Sequence, residues 1–461
     1  MGHVPSTNST LLARIDRRGH IRCMVKRLSQ RNLLPCLALF AALLAAYPAS
    51  AQTIMWSNVL ERDAVTVMSS QWPTGTAQRT IPARTPTDLS WPRERAQALL
   101  EVVQTIGEEG LDPADYRPSE LRAAMAAGEG ERLDRVAGAI FTWLVEDLRD
   151  GRTPLSARRS YLMEDPDSTL LPAGELMIRA LASGDVRGVL ESLNPAHPDY
   201  AALRAELAAT PLAETARRSM IRANMDRWRW LPRDLGGQYL LVNAPEYRLR
   251  MMVNGEVVRS YKVIVGGPGR TATPQISEIV EGVIFNPTWT VPQSIVVGEG
   301  LGSRVLNNPN WARSQGYVAT RGANGYVSVV QQPGPLNALG QMKLDMPNPH
   351  AIFLHDTPGK HRFEQDYRAL SHGCIRVQDA LELAVTLSLL GEGASSEEAM
   401  RISESGVYTR VPLQQQVPVY IAYFTMGVDV NGDLVTFDDI YGRDAAVLSS
   451  ISSPRTRTLP A

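Results

Sequence analysis

The chain is 461 residues long, 44% hydrophobic and 21% charged, which is ordinary for a soluble globular protein with room for two sizeable cores. Its 47 Lys+Arg and 48 Asp+Glu leave a formal net charge of −1. That balance excludes the strong basic bias of a nucleic-acid binder.

Arg14 to Arg31 carry a basic cluster, Leu33 to Ala46 an apolar run, and Ala49-Ser50-Ala51 a small-residue site before Gln52. This is the layout of a secretory signal peptide over residues 1–51. The apolar run is short for a spanning helix of about 20 residues. Cys36 sits early within that run, not after it where a lipidated cysteine belongs. Residues 52–90, rich in Ser, Thr and Pro with little periodicity, read as a linker.

From Trp91 the pattern becomes helical. Arg95 to Ile106, Ser119 to Ala127, Leu133 to Leu148, Ala173 to Ala182, Tyr200 to Ala209 and Thr215 to Arg227 are rich in Ala, Leu, Glu and Arg at helical spacing. Val136, Ile140, Trp143, Leu144 and Leu148 line one face of the longest. The reading is a helical domain over 91–235 with no obvious nucleophile. His197 is expected as a capping or loop residue, and Trp228, Trp230 and Tyr239 as core at a domain junction.

After Gly236-Gly237 the pattern turns to strands: Tyr239 to Val242, Tyr247 to Val253, Val257 to Val265, Ile276 to Phe285, Tyr326 to Val330, Ile352 to His355, Val417 to Phe424 and Leu434 to Phe437. Asn254-Gly255 is a type I′ hairpin signal, and Asn431-Gly432 turns another hairpin. The fold class is α+β, a helical domain followed by a mainly β, sandwich- or barrel-like domain over 236–440, with a tail at 441–461. Gly266-Gly267-Pro268-Gly269 has no GK[ST] and no helical pattern after it, so it reads as a loop. Residues 294–349 are rich in Gly, Asn and Pro and are expected to form a long irregular segment, as lids, binding loops or disordered stretches do.

Once a leader is removed, Cys374 is the remaining one of three cysteines. A thiol at its reference pKa is only about 3 per cent thiolate at neutral pH, so a nucleophilic cysteine needs a base or a positive field. Ile352-Phe353-Leu354 reads as a buried strand that delivers His355, and His361 and His372 also lie close ahead of the thiol. Val377, Ala380, Leu381, Ala384, Val385 and Ser388 recur at helical spacing with Gly391 as a cap, which places Cys374 just ahead of a helix N-terminus. The N–H groups of Gly373 and Cys374 are candidate oxyanion donors.

His355, a spacer and then Ser371-His372-Gly373-Cys374 followed by an apolar residue resemble the signature of the L,D-transpeptidases, the YkuD-type catalytic domain that cross-links bacterial peptidoglycan. Asn224 to Gly236, Phe285 to Pro292, Pro333 to Gly340 and the block beginning at His355 resemble the large two-domain Gram-negative form with a helical scaffold domain. The resemblance implies a periplasmic enzyme in which Cys374 is the nucleophile and His355 the base, with Gly373 at the oxyanion site and His372 shaping either that site or the field at the thiol. The carbonyl of Asp356 is the expected orienting partner of His355. His361 lies outside the motif and reads as a loop residue. Asp356, Arg376, Phe353, Asn337 and Lys343 are the expected substrate-site residues; Arg376 either holds a substrate carboxylate or pairs with an acid on the following helix. Phe353 stands where relatives often carry tyrosine.

The implied reaction passes the acyl group of a peptidoglycan stem peptide through a thioester to an amine, with carbapenems as implied inhibitors. No cofactor is needed, and one thiolate without paired C-x-x-C spacing argues against a zinc site. Two rival readings remain: a cell-wall cysteine hydrolase that uses the same thiol and histidine but passes the acyl group to water, and a non-catalytic wall-binding protein for which the helical domain matters and Cys374 is incidental.

Overall fold

The apolar stripes of the first domain dictate its packing. In the computed structural model, which describes residues 89–460, seven helices of more than one turn precede the sheet: α1 Arg93–Thr105, α2 Pro118–Ala127, α3 Glu131–Arg149, α4 Ala173–Ser183, α5 Val186–Glu191, α6 Pro198–Ala209 and α7 Thr215–Trp228. The expected signal peptide, and the linker up to residue 88, lie outside the described residues. Val136, Ile140, Leu144 and Leu148 of α3 are buried with Leu99 and Val103 of α1 and Leu121 of α2, because residues three and four apart share a helix face. Trp143 is only half-buried, and Arg457 lies over its ring. His197 caps α6, accepting the Asp199 N–H at Nδ1 (3.1 Å) and stacking on Trp228. Trp228, Trp230 and Tyr239 are buried core at the junction of helices and sheet.

The second domain is built on β1 Gln238–Asn243, β2 Arg248–Val253, β3 Glu256–Gly266, β4 Ile276–Phe285, β5 Trp289–Thr290, β6 Tyr317–Arg321, β7 Val327–Gln331, β8 Met342–Asp345, β9 Leu354–His355, β10 Ala369–Ser371, β11 Ile375–Val377 and β12 Thr409–Ala422, followed by the hairpin β13 Met426–Val428 and β14 Leu434–Thr436. Strand order is β10-β3-β11-β9-β8-β4-β12-β1-β2, and β2 pairs back onto β3, closing a barrel. The Asn254-Gly255 turn has φ of 52° and 82°, the two positive values a type I′ hairpin requires. Leu344, Leu354, Ile375 and Val377 face the core with the apolar helix α11 Ala380–Leu390.

Two expected segments differ. Residues 294–349 are irregular only in part, chiefly over 332–341 and 346–349: α8 Gln293–Gly298, α9 Leu301–Asn307 and α10 Pro309–Ser314 pack on the small sheet β5-β7-β6 around Val291, Val296, Val305, Ala312 and Val329. Elements of two to seven residues carry too few repeats to show a period. Nor is 441–461 a free tail. After α12 Ser396–Glu404, helix α13 Asp444–Ser452 docks through Asp444 on Arg227 of α7 (2.6 Å). The last residues then run along the first domain, where Arg455 and Arg457 reach Asp147 at 2.6 and 3.0 Å.

Asp147 is fully buried and also accepts the Tyr116 hydroxyl (2.8 Å). Deleting residues 453–461 therefore strands a buried carboxylate, and removal of partners from such a site costs about 3 kcal/mol or more. The expected result is a lower melting temperature with faster proteolysis inside 91–150. An unchanged melting curve would contradict this account.

Candidate active site

The pleat determines which side chains meet. In the pairing of β9 with β11, Arg376 lies opposite His355, and in that of β8 with β9, Lys343 lies opposite His355. Paired residues share a face of the sheet, so Lys343, His355 and Arg376 form one row. Phe353 and Cys374 precede these strands by one residue, two positions from His355 and Arg376, and alternation puts them on the same face. Their neighbours Leu354 and Ile375 point the other way and are fully buried.

His355 is buried and its Nδ1–H donates to the Asp356 carbonyl (2.5 Å), which leaves Nε2 as the ring nitrogen free to accept. Burial brings its pKa down to about 4, opposed by the bond to Asp356 and reinforced by Arg376. Burial pushes the half-buried Cys374 thiol up, against the pull of the Phe353 N–H and of Lys343 and Arg376. At neutral pH the proton therefore rests on sulfur and the imidazole is neutral and able to accept one. In the resting site the thiol points its proton at the Ala351 carbonyl (3.5 Å).

Cys374 does not sit ahead of a helix N-terminus. Strand β11 intervenes and α11 begins only at Ala380, so its dipole, which fades within a turn, is not aimed at sulfur. Ile375 and Val377 alternate at period two, so Val377 belongs to the strand and is not the first apolar position of the helix. The positive field comes instead from Lys343 and Arg376.

The remaining expected residues divide. Lys343 Nζ stands 3.6 Å from the centre of the Phe353 ring. Arg376 has no acidic partner among the described residues, and its Nε is buried without an acceptor. Asn337, by contrast, is buried with its amide donating to the carbonyls of Pro287 (3.0 Å) and Gln332 (2.9 Å) and its Oδ1 accepting from Leu339, so it shapes a loop and offers no group to a ligand. The Asp356 carboxylate is likewise spent, on the Gln341 N–H (2.9 Å) and on Lys360. His372 is exposed and faces Glu299 Oε1 at 3.8 Å, while His361 lies exposed in a short 3-10 turn.

The turn around the nucleophile is held by two hydroxyls. Ser371 Oγ accepts the Gly373 N–H (3.1 Å) and donates to the Cys374 carbonyl (2.5 Å), so the Gly373 N–H is already occupied and does not serve as an oxyanion donor. Thr273 Oγ1 accepts the Gly266 N–H and donates to the Gly373 carbonyl, both at 2.8 Å. Thr273 and Glu299 escaped the sequence reading because their partners are far away in the chain. The glycine-rich run beside Thr273 was the one local sign.

Residues 237–415 match the family model YkuD, the L,D-transpeptidase catalytic domain, and residues 87–207 match the model of a scaffold domain. A Haemophilus influenzae protein described as a "Putative L,D-transpeptidase" is 31% identical over 239 residues, 49% of this chain and 48% of that protein. The chain thus matches about half the length of this curated relative. Among solved structures, an L,D-transpeptidase from Mycobacterium smegmatis aligns at 16% identity and TM-score 0.20, covering 40% of this chain and 58% of that one. L,D-transpeptidase 3 from Mycobacterium tuberculosis, in complex with a faropenem-derived adduct, aligns at 11% identity and TM-score 0.20, covering 40% of this chain and 60% of that one.

Proposed function

We propose that this chain, which carries an L,D-transpeptidase catalytic domain at 237–415 behind a scaffold domain at 87–207, is an exported cysteine acyltransferase that cross-links peptidoglycan stem peptides. The observation that carries the reading is the shared face of β9 and β11: it holds a thiol and a neutral imidazole whose second nitrogen is tied to the Asp356 carbonyl.

In this mechanism Sγ of Cys374 attacks the carbonyl of the third-position diamino acid while Nε2 of His355 takes the thiol proton. The tetrahedral oxyanion is met by the Cys374 N–H. The peptide bond to the terminal D-alanine breaks, and His355 returns the proton to the departing amine. An acceptor amine then attacks the thioester and gives a proton to His355, which passes it back to sulfur. The thioester keeps the energy of the cleaved peptide bond, so no ATP is needed in a periplasm without it. Arg376, lacking an acidic partner among the described residues, is suited to hold a substrate carboxylate through its planar fork.

Incubation with purified disaccharide-tetrapeptide, read by mass, tests this. The expected products are dimers that have lost one D-alanine. Trimmed monomers alone would mean that water takes the acyl group and the protein is a hydrolase.

A further inference from the structure

The peptide joining Gly373 to Cys374 supplies the N–H on which the proposed oxyanion site depends, yet nothing in the Ser-His-Gly-Cys turn fixes its plane. Gly373 has φ of +122°, a region open to glycine in which the adjoining peptide can rotate. Ser371 secures the peptides on either side, at the Gly373 N–H and the Cys374 carbonyl. Between them, the Gly373 carbonyl is held from outside the turn by Thr273, a side chain only 1% exposed.

The direction of that bond is forced. A hydroxyl has one proton, and because Thr273 Oγ1 already accepts the Gly266 N–H, that proton goes to the Gly373 carbonyl. The peptide is trans, so its C=O and N–H point to opposite sides. Holding the carbonyl against Thr273 sends the Cys374 N–H the other way. We infer that Thr273 is a positioning residue that aims the Cys374 N–H at the developing oxyanion by anchoring the opposite end of the same peptide.

The anchor is itself immobilised. The Gly267 N–H donates to the Ser371 carbonyl (2.9 Å), the Tyr441 hydroxyl to the Gly266 carbonyl (2.7 Å), and Arg443 Nη2 to the Thr273 carbonyl (2.9 Å). A Cβ on Gly266 would lie 1.9 Å from the Thr271 carbonyl oxygen, so the loop can fold this tightly behind the nucleophile only with glycine there. Asp444, next to Arg443, is the residue gripped by Arg227 of helix α7. The support behind the nucleophile thus reaches the helical domain.

This inference rests on the acyl-transfer reading, and two reactions of the same sulfur separate the two. Alkylation by iodoacetamide displaces iodide at a saturated carbon and builds no oxyanion, whereas carbapenem acylation passes through one. In Thr273→Val, which keeps the shape and removes the hydroxyl, acylation should fall by about 10- to 100-fold, below the loss of a whole oxyanion donor. The alkylation rate and its pH profile should stay as in the wild type, and Thr273→Ser should recover acylation. Should the valine protein not fold, Thr273→Ala is read in the same way. Equal losses in both reactions, or no loss of acylation, would overturn the inference while leaving the acyl-transfer reading standing. A wild-type protein that alkylates at Cys374 but forms no acyl adduct would overturn the reading itself, and the inference with it.

Discussion

Alanine at position 374 will leave a folded protein that forms no covalent adduct with a carbapenem and no dimer from stem peptides. The sulfur is the one atom in the site able to become the acylated nucleophile, and Cys374 is the free cysteine among the described residues. The structural cost of the change is small, because the half-buried thiol donates only over a long distance to the Ala351 carbonyl, its other contact is with the Phe353 backbone, and the turn is held through the backbone by Ser371 and Thr273. Intact mass after incubation measures the adduct, and circular dichroism the fold. An adduct that persists on the protein lacking residues 1–51 would falsify the assignment.

Removal of the base has the second largest effect. His355→Ala should slow acylation by about 100- to 10,000-fold, the contribution of a positioned general base. His355 is only 5% exposed and its Nδ1 satisfies the Asp356 carbonyl, so alanine also orphans a buried acceptor. His355→Asn is the cleaner variant, since its amide can keep that bond while offering no base.

The pH dependence separates loss of the base from loss of the fold. In the wild type the rate should fall as pH drops through about 4, where His355 takes up a proton and can no longer accept one. Without His355 the residual rate should instead climb with pH toward the raised pKa of the thiol, because only spontaneous thiolate remains to react. His372→Ala should keep the wild-type profile and lose less, since the exposed ring faces Glu299. A larger loss in the His372 variant would mean that the base is the other histidine.

The long elements were legible because they repeat. Five or more turns of α3 display a 3.6-residue stripe, and β2 and β3 flank a turn whose Asn254-Gly255 chemistry marks it. Short pieces had no such redundancy: β8, β10 and β11 hold three or four residues each, and β11 ran into the period of α11 closely enough to be read as its first turn. The site divides in the same way. Cys374, His355 and the Asp356 carbonyl are tied by a compact motif, so their roles could be expected from it. Thr273 acts across 100 residues of chain, and the polar side chains of Asn337 and Asp356 are spent inside the protein, on the Pro287 and Gln332 carbonyls and on the Gln341 N–H and Lys360. Polarity in a loop does not reveal whether a side chain faces a ligand or its own main chain.

The run of the last residues along the helical domain sets an order on biosynthesis. Asp147 meets Arg457 across 310 residues of sequence, so the helical domain, made before the barrel, lacks its buried counter-charges until residue 457 has been added. Closing so long a loop is slow compared with forming the helices themselves. The helical domain is made before the barrel yet completed after it, and a chain released before that point would present it with Asp147 uncompensated.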